Sequence, residues 1–303
     1  MITEKEKREF KSAPEQFLTR EIIAYVVKSP LNHFKGLDEP IWDEPLVGFA
    51  DGDEAIFKEY KGIIGDFHMT PREALATHLK IAECGYEKEL DKVSVIAWVL
   101  PSTEKTRRSM RGELMVPSLR WDYTRWYGQD FNFRLSRYIS SLLETLGFHA
   151  VAPELSPAFE RKTLADGPAS NWSQRHVAYA AGLGTFSLND ALITPKGIAV
   201  RLGSVVTSLA LKPSPRPYVS FRANCLFYRD GSCGRCVARC PAGAITETGH
   251  DRKKCREFLY GRQRELVIET GRQGYVGPYF GCGLCQTGVP CESGIPALGS
   301  DKK

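Results

Sequence analysis

Eight of the chain's nine cysteines stand from Cys225 onward, and their spacing admits few chemistries. Cys225, Cys233, Cys236 and Cys240 form one run, closed by Pro241; Cys255 stands alone; Cys282, Cys285 and Cys291 form a second run. The segment Cys233-Gly-Arg-Cys236-Val-Ala-Arg-Cys240-Pro241 has a two-residue gap, a three-residue gap and a closing Cys-Pro. With that spacing neighbouring thiolates wrap one 4Fe-4S cubane while the Cys before Pro reaches a second. On the crossover rule Cys225, Cys233 and Cys236 take Cys291 as a distant fourth ligand, and Cys240 joins Cys255, Cys282 and Cys285. The eight thiolates then fill two clusters with none spare.

Zinc is the competing reading, because paired two-residue Cys gaps also build structural zinc sites. Against it stand the three-residue gap before Cys-Pro and the lack of any His in ligand spacing. A disulfide framework belongs to small secreted domains, and the opening Met1-Ile-Thr-Glu-Lys-Glu-Lys-Arg lacks the apolar stretch of an export signal. Cys84, the ninth, reads as a buried or partly buried structural thiol.

The elements that must position these residues follow from punctuation and periodicity. At 303 residues, 42% hydrophobic and 25% charged, the chain has room for a large core domain beside a small cluster domain. Pro14 to Val27 reads as a helix, and Leu31 to Asp53, rich in Pro, Gly, Asp and Trp, as an irregular loop within a partly irregular N-terminal segment (1–60). Thr70-Pro71-Arg72-Glu73 is a capped helix start, which predicts a helix from Pro71 to Cys84. Val93 to Leu100 suits a buried strand ended by Pro101. Phe131, Leu135, Ile139, Leu142 and Leu146 recur at helical spacing up to Gly147, and Phe148 to Ala152 is a short strand. A polar stretch from Thr163 to Ser173 precedes a helix to Ala181, the turn Gly182-Leu183-Gly184, and a strand in Ile198 to Leu211. Lys212 to Pro217 is a stiff Pro-rich link. The fold expected is α+β, with domains at 1–217 and 218–303.

Charge narrows little. The net +5 neither demands nor excludes nucleic acid, and the densest basic cluster, Lys105-Thr-Arg107-Arg108-Ser-Met-Arg111, fits a solvated loop as well as an anionic partner. No window approaches 18 uncharged apolar residues, so the expectation is a cytoplasmic protein without a membrane partner.

The order of these elements resembles the epoxyqueuosine reductase and reductive dehalogenase superfamily. The segment Ala178-Tyr-Ala-Ala-Gly182-Leu183-Gly184, running on to Thr194-Pro195-Lys-Gly197 and Arg201-Leu202-Gly203, is similar to the family's Ala-Gly-Leu-Gly turn, strand and Leu-Gly pair. Asp122-Tyr123, ahead of the Leu135 helix, is similar to its Asp-Tyr-His step, and Phe280-Gly-Cys282-Gly-Leu-Cys285-Gln286 to its second-cluster segment. The resemblance spans about Val93 to Cys291. It implies a nitroreductase-like α/β domain that binds cobalamin without its lower nucleotide ligand, followed by a ferredoxin-like domain whose two 4Fe-4S clusters feed electrons to the cobalt for a two-electron reduction. It further implies an external electron donor of the ferredoxin or flavodoxin type and a small-molecule or modified-nucleoside substrate, tRNA included. The corrin is expected beside Gly182, Leu183 and Gly184, with Asn189, Asp190, Trp172 and Trp121 near it.

The departures bear on the chemistry. Seven residues separate Cys225 from Cys233 where family members usually have two, and Asp230 stands where their first Cys would be. The stretch that supplies the acidic proton donor of epoxyqueuosine reductases reads Asp166-Gly-Pro168-Ala-Ser-Asn171-Trp172, with Asp166 displaced by two positions. His176, Asp166 and Tyr123 are the candidate proton donors, His because it titrates near neutrality. Each also fits a structural hydrogen bond or a cap. Besides a cobalamin reductase, three classes stay open: a flavin-using reductase of the same fold, a reductive activator of a corrinoid protein, and a non-catalytic electron carrier.

Overall fold

The computed structural model describes residues 3–36, 38–82 and 90–297. Thr3 caps α1 (Glu4–Ser12) and Pro14 starts α2 (Pro14–Lys28), which buries Phe17, Leu18, Ile22 and Val26. The segment expected to be irregular contains a strand, β1 (Leu46–Asp51). Its Pro- and Asp-rich flanks hid six residues that bond along one edge of a sheet, a position where regular pairing on one side suffices. After α3 (Ala55–Ile64), the Thr70 capping box starts α4 (Pro71–Ile81). Cys84 lies outside the described residues.

β2 (Ser94–Pro101) is the apolar run, and every one of its residues is buried. α5 (Glu104–Arg111) leads to α6 (Leu119–Thr145), 27 residues long. Asp122-Tyr123 therefore sits in the first turn of this helix, started by the Ser118 side chain, and not ahead of it. The short β3 (Ala150–Val151) follows, and the expected polar stretch holds a hairpin, β4 (Arg161–Leu164) with β5 (Gly167–Ser170). α7 (Gln174–Ala180), the pair β6 (Thr185–Phe186) and β7 (Leu192–Ile193), and β8 (Val200–Thr207) complete the domain.

The sheet runs β1-β2-β8-β3, each neighbour antiparallel. Alternation along β2 divides the interior into two layers. Ile96, Trp98 and Leu100 join α2 and α6 on one face, while Val95, Ala97 and Val99 join α3, α4 and α7 on the other. The Pro-rich link is tied to the outer edge of β1, where Ser214 N donates to Phe49 O at 2.9 Å and Phe49 N to Ser214 Oγ at 2.9 Å.

The C-terminal module has little regular structure. α8 (Leu226–Asp230), α9 (Arg235–Ala238), the two-residue strands β9 (Ile245–Thr246) and β10 (Gly249–His250), and α10 (Arg252–Glu257) run through a π turn into α11 (Gln263–Glu269). Among the described residues no helix is long and apolar enough to cross a membrane.

Candidate iron-sulfur site and the cleft beside it

The eight cysteines from Cys225 onward are free of disulfides. Cys225, Cys233, Cys236 and Cys291 line one apolar cavity with Ile198 and Val289. Burial, with the nearby sulfurs of Cys225, Cys236 and Cys233, pushes the Cys291 thiol far up. In the second group burial pushes Cys282 up to about 12, with Cys255 and Cys240 adding to it, and Cys285 is raised by burial and by Cys282 and Cys255. Several thiolates cannot share such a place unaided, because burial and mutual repulsion both favour the neutral thiol. A cationic metal centre removes both penalties, so the donor set fits iron-sulfur clusters.

The module is fastened to the α/β domain at both groups. Glycine-rich chain from 274 to 283 lies on the aromatic face of α6: a Cβ on Gly277 would meet the Trp126 indole at 2.1 Å, and one on Gly283 the Trp121 indole at 2.1 Å. Both glycines take positive φ, +74° and +62°, which other residues seldom adopt. Val276 N donates to the buried Asp122 Oδ2 at 2.7 Å, and Trp126 Nε1 to Tyr279 O at 2.9 Å. Elsewhere Glu292, next to Cys291, is buried and receives Arg111 at 2.6 Å, while Arg239, beside Cys240, donates to Glu113 O at 2.9 Å and Met110 O at 3.1 Å. The basic cluster on α5 is thus partly engaged inside the molecule, Arg107 and Arg111 both reaching Glu104 and Glu292.

A cleft opens between the two regions. Two adjoining cavities of about 200 and 250 Å³ share Val200, Arg201 and Gln286. The first is bordered by Trp121, Arg125 and Cys282, the second by Gln129, Glu154, Gln174 and Arg175. Arg201 projects here from an otherwise apolar strand; its Nε is buried and has no hydrogen-bond partner, and burial draws the guanidinium down to about 10. Sequence reading missed Arg125, Arg201 and Gln286. An arginine inside the apolar pattern Val200-Arg201-Leu202-Gly203-Ser-Val-Val was the available signal.

The residues expected around the Gly-Leu-Gly turn are placed differently. A Cβ on Gly182 would meet Pro215 O at 2.2 Å and one on Gly184 Ile193 O at 2.5 Å, and Leu183 is buried. The Cβ side of Gly182 thus faces the link and that of Gly184 faces β7. Trp172 is buried in the core, its Nε1 donating to Ser204 Oγ at 3.1 Å, and it does not line the cavity that Trp121 borders. His176 packs between Tyr60 and Phe186, each with ring centres 4.8 Å away, and shares a 2.7 Å hydrogen bond with Ser173 Oγ. Burial, aided by Arg175, holds its pKa down at about 3, so the imidazole is neutral and a poor proton donor near pH 7. Asp166, at the tip of the β4-β5 hairpin, is exposed and paired with Arg252. Tyr123 donates to Gly274 O at 3.1 Å and holds the glycine-rich loop.

Asn189 and Asp190 face the second cysteine group. Asn189 Nδ2 donates to Cys285 O at 2.9 Å. The Asp190 carboxylate lies 3.2 Å from His250 Nδ1. Burial opposes charge on His250, but Asp190 and Cys255 outweigh it and hold the imidazole at about 9.

Residues 230–291 match the family model for a 4Fe-4S double cluster binding domain. The chain therefore carries a double-cluster iron-sulfur module, and Cys225 lies just outside the matched span. Among characterised proteins the chain is 30% identical over 171 residues to the epoxyqueuosine reductase of Bacillus anthracis, covering 56% of this chain and 40% of that protein. It is 30% identical over 124 residues to that of Bacillus subtilis, covering 40% and 30%. A solved structure of a selenomethionine-labelled epoxyqueuosine reductase aligns at 20% identity with a TM-score of 0.43, over 92% of this chain and 67% of that one. The chain is thus similar to epoxyqueuosine reductases over part of its length, and the matches span 40% or less of the length of these two curated relatives.

Proposed function

We propose that the chain is an iron-sulfur oxidoreductase that passes electrons through two 4Fe-4S clusters to a cobalamin held in the cleft, for a two-electron reduction of the kind its relatives' name describes. The observation that carries this reading is the position of the cleft. Its wall includes Cys282, so a cofactor seated there touches the chain that would hold a cluster. Cys225, Cys233, Cys236 and Cys291 would hold one cluster, and Cys240, Cys255, Cys282 and Cys285 the other.

The cleft suits a corrinoid in its chemistry. Arg125, Arg201, Gln129, Gln174 and Gln286 offer donors for amide and carboxylate edges, Trp121 offers an apolar face, and no His lies on either wall. Cobalamin would supply a strongly reducing metal centre. Arg201 and Arg125 would fix the ring's polar rim, and the close packing of Gly277 and Gly283 on α6 would keep the electron path short and constant. A nitroreductase-like ancestry for the α/β domain accords with its antiparallel sheet covered by helices on both faces. The electron source would be an external ferredoxin or flavodoxin, and the substrate a small molecule or modified nucleoside, free or within tRNA. Proton delivery from Asp166, as the resemblance implies, has little support, because Asp166 pairs with Arg252 at the surface.

Anaerobic titration of the reconstituted protein with cobalamin tests the reading. A saturable change in the visible spectrum is expected in wild type and is lost in Val200→Trp, which fills the shared wall, while iron content stays unchanged. No spectral change in wild type overturns the cofactor assignment, and flavin bands in the protein as isolated replace cobalamin by flavin.

A further inference from the structure

We propose that the second cavity of the cleft is the substrate's seat, built for a small carboxylate that carries a neighbouring hydroxyl, with the carboxylate held by Arg201 and Gln129 and the hydroxyl by Glu154. The inference rests on the cleft reading above: the cofactor's rim meets Arg125 and Arg201 on the side of Trp121 and Cys282, and the substrate takes the cavity that adjoins it across Arg201.

The fold sets the two donors side by side. Asn132 of α6 accepts from Trp98 Nε1 at 2.8 Å and donates to Leu202 O at 3.1 Å, which locks the helix onto β8. Gln129 lies about one turn earlier on the helix and Arg201 next to Leu202 on the strand, and both line the cavity. Each carries a buried side-chain nitrogen with no hydrogen-bond partner, Gln129 Nε2 and Arg201 Nε. Arg201 also makes no ion pair among the described residues. Buried donors are almost always satisfied, and a buried cation without an anion is costlier still. Two such orphans in one wall call for an acceptor that carries negative charge.

Glu154 supplies the opposite need. Trp172 Nε1 donates to Ser204 Oγ at 3.1 Å, Ser204 Oγ to Gln174 Oε1 at 2.7 Å, and Gln174 Nε2 to Glu154 Oε2 at 3.3 Å. This chain of bonds runs out from the core and fixes a carboxylate on the cavity wall with lone pairs to spare for a ligand's donor. Arg175 and Arg201 against Glu154 leave one unit of positive charge on the wall, which matches a single carboxylate better than a phosphate dianion. The planar guanidinium of Arg201 suits a carboxylate in shape as well. Ala191, Leu192 and Ile198 give the ligand's carbon atoms an apolar wall. The cavity, about 250 Å³, lies below the roughly 300–1,000 Å³ of drug-sized sites, so the ligand is small.

The test is isothermal titration of the cluster-loaded full chain with lactate, propionate and inorganic phosphate. Lactate should bind saturably, roughly tenfold tighter than propionate, which lacks the hydroxyl, and tighter than phosphate. Arg201→Gln and Gln129→Leu should each weaken lactate roughly tenfold. Should either variant fail to hold its clusters, Gln129→Glu, which keeps the side chain's shape and adds a like charge, carries the same test. No lactate binding in wild type, or an affinity untouched by these substitutions, overturns the proposal. Phosphate bound more tightly than lactate overturns the carboxylate assignment, and equal affinity for lactate and propionate removes Glu154 from it. Cobalamin titration of the same wild-type sample separates this failure from that of the cofactor reading: a spectral change without lactate binding overturns this inference alone, whereas lactate binding without a spectral change supports the seat and overturns the cofactor.

Discussion

β2 buries all eight of its residues between two apolar layers, whereas the module after Cys225 surrounds its cysteines with a small cluster that borrows Leu188, Ile193 and Ile198 from the other domain. The first region is held by side-chain burial and a continuous ladder. The second has two-residue strands, short helices apart from the continuous run Arg252–Glu269, and buried thiols that resist sharing space. The contrast teaches that the module's fold depends on what its cysteines bind and on its docking to α6 and α5.

Removing the metal is the strongest way to break the comparison. Chelation of iron, or Cys285→Ala, should unfold the module at a cost on the order of 10 kcal/mol, the scale of structural metal sites. Hydrogen exchange then shows loss of protection from Cys225 onward with β2 and β8 unaffected. Protection retained through the module after chelation would show that it folds on packing alone.

The opposite cut is Leu135→Ala. Leu135 is fully buried in the layer shared by α2 and α6, and its truncation should cost about 2–5 kcal/mol. Thermal or urea unfolding read on the helical signal measures the loss. EPR of the clusters should be unchanged below the transition.

How far each region is legible in sequence differs in the same way. The buried strand, the Thr70 capping box and the amphipathic α6 were readable because burial and capping impose periodicity or fixed residue types on the chain itself. β1 was not, because an edge strand flanked by Pro and Asp carries a weaker pattern than a central one. The eight cysteines were readable from spacing alone. The cleft was not: Arg201, Arg125 and Gln286 come from a strand, a helix and a loop that only the docking of the module brings together. The glycines of the Gly-Leu-Gly turn pack closely against Pro215 and Ile193, a tertiary contact that no local pattern announces.

Docking can be weakened more gently through Asp122. Its side chain is fully buried, Oδ2 accepts from Val276 N and Oδ1 has no hydrogen-bond partner, and burial pushes the carboxyl up to about 7. In the unfolded chain it ionises near 3.8. Its contribution to stability is therefore complete below about pH 4, declines as pH rises toward 7, and is level above. Asp122→Asn keeps an acceptor for Val276 and removes the titration. The stability of wild type relative to the variant should fall by roughly 2–4 kcal/mol between pH 4.5 and 8; parallel urea midpoints across that range would assign Asp122 no such role.

The smallest effect expected is at Asp166, and it sharpens the comparison because this residue bridges the two regions at their surface. It pairs with Arg252 on α10, but its side chain is 66% exposed, so the pair is screened and contributes about 0–1 kcal/mol. The resemblance assigns this stretch of chain the acidic proton donor, a role whose loss would slow a reduction by about 10²–10⁴-fold. The structure sets Asp166 apart from the cleft residues Arg125, Arg201 and Gln286. Asp166→Asn should accordingly leave the stability of the module, its iron content and the rate of reductive turnover within about twofold of wild type. Measured turnover that falls by two orders of magnitude, with both clusters intact, would move the proton donor back to this hairpin and require the β4-β5 tip to reach the cleft during catalysis.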